Sequence, residues 1–218
     1  MSERRLATIG SLLALSAFAV LAVVVRVWYS DSQDGVFLVW NLVLAWIPFA
    51  LALLVYDGSR HGAHPVSLAA CSALWLLFFP NAPYLITDLK WLEHWYGAPV
   101  WFDVVVLSAF AWTGLALGFA SLYLIHRVAA RTLGVLTAWA LIPFVLTLCS
   151  LGIYLGRFER WNSWDVLSNP RGIVAQLPEA LVAPKPIAVT VLFTGFLTLS
   201  YFVFYSFVRL GAAERADR

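Results

Sequence analysis

Charge is scarce in this chain: Asp, Glu, Lys and Arg make up 12% of its 218 residues, against about a quarter in a soluble domain. So few polar residues cannot coat a water-facing surface. With 62% hydrophobic residues and a mean hydropathy of +0.83, most of the chain must face lipid. The small net charge of +2 gives no ground for a nucleic-acid partner. Cysteine is nearly absent, which excludes a disulfide-stapled scaffold. Cys71 and Cys149 fall in apolar runs in opposite leaflets, too far apart to bridge. No phosphate-cradling loop, dinucleotide fingerprint, zinc-protease motif or nucleophile elbow occurs. Histidine is sparse. His61 and His64 lie near Asp57 in a polar connection, and His94 follows Glu93 six residues after Asp88. No set of three ligands has a metal-site spacing, so neither a metal nor a cofactor is expected.

Long apolar runs are what the sequence does have. They cover residues 6–25, 36–56, 66–86, 104–125, 133–155 and 187–208. Each is long enough to cross a bilayer as a helix of about 20 residues, the form that satisfies its own backbone in lipid. The expected fold is therefore all-α: one polytopic bundle of about six spans over residues 1–218. Arg4 and Arg5 before an apolar run resemble a secretory signal, but the run outlasts a signal core and is read as a retained first helix. Six spans put both termini on one face. Eight Lys and Arg fall on that face and six on the other, which leans towards cytoplasmic termini in a cell inner membrane. The acids are more lopsided. Asp31, Asp34, Asp88, Glu93, Asp103, Glu159, Asp165 and Glu179 all fall on the opposite, outer face.

Polar groups within or beside spans need a reason, because hydrocarbon does not solvate them. Asn41 and Asn81 each lie about 8 Å inside the outer end of a span at the helical rise per residue. Asp103 opens the fourth span and Arg157 closes the fifth. Four helices thus bring polar groups to one interface, where they can share a pocket. Pro80 and Pro83 should break the third helix, since two prolines three apart remove donors and crowd the preceding turns. Irregular backbone at that depth lines a cavity or is capped by Asn81. Pro48 and Pro143 should kink their helices, and Gly114-x-x-x-Gly118 permits close helix contact. After the fifth span, Arg157 and Arg160 stand at helical spacing, as do Trp161 and Trp164, with Asn162 and Asp165 among them. The indoles suit the headgroup layer. The guanidinium groups suit an anionic head or a carboxylate partner such as Asp88 or Asp103.

Three stretches carry a resemblance: Trp40-Asn41-Leu42 with Ala45-Trp46-Ile47-Pro48; Phe79-Pro80-Asn81-Ala82-Pro83-Tyr84 with Thr87-Asp88-Leu89; and Gly152-Ile153-Tyr154-Leu155-Gly156-Arg157-Phe158 with Arg160-Trp161-Asn162-Ser163-Trp164-Asp165. They resemble the uncharacterised bacterial membrane-protein family known as domain of unknown function 1361. The resemblance implies a multi-helix bacterial inner-membrane protein and carries no established activity. Relatives often place a His shortly after the motif aspartate, whereas here Lys90-Trp91 follows Leu89 and the nearest His is His94.

Three functions are compatible with these residues. The first is a membrane enzyme or binder for a lipid-like or anionic amphiphile. In it Asp88 or Asp103 is the catalytic acid or base, and Asn41, Asn81, Arg157, Arg160, Trp161, Asn162 and Asp165 bind substrate. The second is a small-solute transporter built on the broken helix. The third is a structural or assembly subunit whose polar cluster is a salt-bridge network. Membrane lipids, and in the third case other membrane proteins, are the partners expected.

Overall fold

The computed structural model describes residues 3–172, 175, 178 and 182–213. Among them no strand occurs, and the helices are α1 (Glu3–Ser30), α2 (Val36–Arg60), α3 (Pro65–Phe78), α4 (Asn81–Tyr84), a 3₁₀ helix (Leu85–Glu93), α5 (Val100–Thr132), α6 (Val135–Phe158), α7 (Asp165–Ser168) and α8 (Pro184–Ala213). Six segments are long and apolar enough to cross a membrane, with α3, α4 and the 3₁₀ helix forming one of them. The protein is a multi-pass helix bundle. The start of α1, the end of α8 and the connections after α2 and α5 share one face, here called the termini face. The connections after α1, after the 3₁₀ helix and after α6 make the loop face. Glu179 and the acids at 214 and 217 lie outside the described residues.

α5 is the hub. It touches α1, α2, α4, the 3₁₀ helix, α6 and α8, and 67% of its apolar window is buried against 11% for α8. One core lies on its α1–α2 side around Val23, Leu38, Phe49, Leu107 and Phe110. A second lies on its α6–α8 side around Phe79, Leu115, Leu146, Ile153 and Tyr201. The outward surfaces stay apolar, with Leu136 at 87% exposure and Leu192 at 72%. In water such surfaces would aggregate; in a bilayer they meet acyl chains.

Several boundaries differ from the sequence expectation. α1 runs past residue 25 to Ser30, so Arg26 belongs to the helix instead of the following loop. The third span extends beyond residue 86 through Glu93, which places Asp88 inside it. Its break changes the winding without unwinding the chain: Phe79, Pro80, Tyr84 and Leu85 all keep right-handed helical dihedrals. Pro48 and Pro143 remain inside α2 and α6. Cys71 and Cys149 are both free thiols.

The small-residue motif in α5 receives this break. A Cβ on Gly114 would lie 2.3 Å from the Ala82 carbonyl oxygen, and one on Gly118 3.5 Å from the Ala82 Cβ. On the opposite side, a Cβ on Gly152 of α6 would lie 2.8 Å from Pro80 Cγ. Gly114 and Gly152, on two different helices, thus grip the proline break.

Candidate functional site

The break itself explains Asn81. Proline at 80 and 83 removes two helical donors, and the Ala82 N–H turns to the Phe79 carbonyl at 3.2 Å. The Asn81 side-chain amide donates to the Phe78 carbonyl at 2.9 Å and to Ser163 Oγ at 2.8 Å. It therefore replaces a lost backbone donor and also ties the third span to the loop after α6.

That loop turns sharply. The Leu155 carbonyl accepts from both the Glu159 and the Trp161 N–H, at 3.1 and 3.2 Å. Arg160 takes the left-handed conformation at φ 60°, which is uncommon for a residue with a side chain. The helical spacing of Arg157 and Arg160 therefore does not persist as a shared face, because α6 ends at Phe158. Asp165 then organises the loop: its Oδ2 accepts from the Asn162 N–H at 2.7 Å and from the Asn162 side-chain amide at 3.2 Å.

Arg157 instead turns inward. Its Nη2 donates to Asp88 Oδ1 and to Thr87 Oγ1, and its Nε to Thr87 Oγ1 at 2.8 Å. Its guanidinium lies 4.3 Å from the centroid of the Tyr84 ring. Asn41 completes the set by donating to Asp88 Oδ2 at 3.0 Å. With side chains only 8% and 1% exposed, the pair is buried and each Asp88 oxygen has its own donor. Small residues make room for it, since a Cβ on Gly156 would lie 3.3 Å from the Tyr84 ring.

A cavity of about 420 Å³ opens beside this network, between α2, the proline break, α6 and the loop. Leu44, Leu76, Leu77, Leu148, Leu151 and Leu155 line its apolar part. Asn41, Asn81, Tyr84, Arg160, Asn162 and Ser163 supply polar groups, and Trp161 also borders it. Arg160 is exposed, and among the described residues no carboxylate is paired with it.

Asp103 is elsewhere. It is 2% exposed and accepts from Arg26 Nε at 2.7 Å. Arg26 is fully buried, donates to the carbonyls of Asp34 at 3.2 Å and Tyr96 at 3.4 Å, and lies 4.2 Å from the Trp95 ring centroid. This second ion pair ties α1 and its loop to the start of α5. Neither Asp103 nor Arg26 lines the cavity. Reasoning from sequence passed over Arg26, whose only signal was a charge at the end of an apolar run.

The remaining sequence candidates are engaged locally. His94 stays exposed, its Nδ1 3.3 Å from the Lys90 carbonyl. His64 caps α3, its Nδ1 accepting from the Val66 N–H at 3.3 Å, and His61 Nδ1 lies 2.7 Å from the Asp57 carbonyl. Among the described residues no group of three His, Cys, Asp or Glu is placed to hold a metal.

A family model described as "Protein of unknown function (DUF1361)" matches residues 40–200. The chain belongs to this family. No curated protein and no solved structure matches it significantly. Every cavity residue and the Arg157–Asp88 pair fall within the segment that matches DUF1361. Arg26 lies outside the match, yet its partner Asp103 lies within it.

Proposed function

We propose that the protein binds an anionic, lipid-like amphiphile in the loop-face cavity. The head would sit at Arg160 and Asn162, and the chain along the leucine-lined part. The observation that carries this reading is the composition of the cavity: apolar walls on one side, and on the other the Asn162 amide with Arg160, which pairs with no carboxylate among the described residues. Arginine suits such a head, since its planar fork binds phosphate or carboxylate in two places. Binding has more support than catalysis. Asp88 and Asp103 are both engaged in buried ion pairs, which disfavours either as a free acid or base. The positive bias of the termini face supports cytoplasmic termini in a cell inner membrane.

Native mass spectrometry of the purified protein tests the proposal. A co-purifying anionic amphiphile, lost in Arg160→Ala and in Leu151→Trp, is the expected result. Unchanged adducts in both variants would overturn it. The proline break beside the cavity also favours transport as a second reading. In that case liposomes holding the protein would pass a small solute, and Asn81→Ala would alter the flux.

A further inference from the structure

The termini face carries a second feature, independent of the cavity. Arg60 ends α2, while Arg127 and Arg131 stand near the end of α5. All three converge on one side chain: their guanidinium carbons lie 5.8, 5.8 and 5.5 Å from the centroid of the Tyr56 ring. Arg60 Nη1 also donates to the Tyr56 hydroxyl at 3.4 Å.

The carboxylate nearest in sequence is already taken. Asp57 accepts from Arg5 through both oxygens, Oδ1 at 2.9 Å and Oδ2 at 2.7 Å. Among the described residues no carboxylate pairs with Arg60, Arg127 or Arg131, and all three are exposed. A basic residue at a helix C-terminus is favourable on its own, because it opposes the negative end of the helix dipole. That effect explains each arginine singly and gives no reason for them to converge. Three like charges around one ring repel, and the aromatic face offsets only part of that. An anion with several oxygens, held at the water interface between two helix ends, removes the repulsion and matches the donors.

We infer that Arg60, Arg127 and Arg131 around Tyr56 form a binding site for a phosphate group. The chemistry is that of a phospholipid head or of a soluble phosphate, and two arms of one experiment separate these sources. In the first, the full chain is placed in nanodiscs of phosphatidylcholine containing a minor share of phosphatidylglycerol, and retained lipid is read by native mass spectrometry. In the second, inorganic phosphate is added to the chain in pure phosphatidylcholine discs, and the thermal midpoint is read. Wild-type protein enriched in phosphatidylglycerol, with the triple variant R60Q/R127Q/R131Q losing that preference by on the order of a hundredfold, identifies a lipid head. A phosphate-dependent rise in midpoint, absent from the same variant, identifies a soluble anion. The charge-keeping variant R60K/R127K/R131K guards against misfolding and should keep part of either response. Both arms are repeated in an Arg160→Ala background, so that anionic lipid held in the cavity does not enter the difference that is read. If the glutamine variant behaves as wild type in both arms, the inference is overturned.

Discussion

Two buried ion pairs hold the loop face together, and they are built differently. Arg26–Asp103 is sealed. Its guanidinium is covered by Trp95 and two loop carbonyls, and its side chains are 0% and 3% exposed. Arg157–Asp88 has the same chemistry and does not line the cavity either, but it touches the cavity-lining Asn41 and Tyr84, and its other partner is the neutral side chain of Thr87. Burying two charges is costly, so such a pair is weak evidence of net stability. What distinguishes the two is their surroundings. The first fastens α1 to α5 and is closed off from solvent. The second fixes the wall of an open volume and holds Asn41 and Tyr84 at its edge.

Breaking the sealed pair should have the largest effect. Arg26→Ala leaves Asp103 buried without a cation, and a loss of about 3–5 kcal/mol is expected, read as thermal unfolding in detergent. Arg26→Met combined with Asp103→Leu should regain most of it. A single variant that melts like wild type would remove the fastening role of this pair.

Arg157→Ala should cost less, about 2–3 kcal/mol, because Asp88 keeps its Asn41 donor and the cavity can admit water. Equal losses at the two arginines would erase the contrast drawn between the pairs.

The grip on the proline break gives a smaller and sharper test. Gly114→Ala should cost about 1–3 kcal/mol, since its methyl group meets the Ala82 carbonyl. Gly118→Ala, whose methyl group makes an ordinary 3.5 Å contact, should stay within about 0.5 kcal/mol of wild type. Denaturation of the two variants side by side decides whether one glycine or the whole motif matters.

Arg160→Ala should change stability least, within about 0.5 kcal/mol. It should nonetheless abolish amphiphile retention, unlike any change at Arg26 that leaves the protein folded. A large loss of stability in this variant would instead make Arg160 part of the scaffold.

Much of the bundle was legible from hydropathy, because lipid tolerates one backbone solution per run. The break at Pro80 and Pro83 was legible for a local reason, the missing donors. Asp88 and Arg157 could be named from their placement at one interface, although their pairing joins residues 69 apart. Arg26 was not legible. A hydropathy run stops at a charge while the helix does not, and its partner is 77 residues away. The Gly114 motif announced a close approach but could not say that a proline turn, and not a straight helix, makes it. Arg160 misled for the opposite reason: a spacing of three suggests a shared helix face only while the helix lasts, and the chain reverses at that residue.

Whether the cavity holds an anionic amphiphile is read most directly from an experimental structure of the full chain in native-lipid nanodiscs. The expected result is elongated density along Leu148 and Leu151, ending in a head group against Arg160 and Asn162. A cavity filled by the protein's own side chains, or Arg160 paired with a carboxylate of the chain, would contradict it.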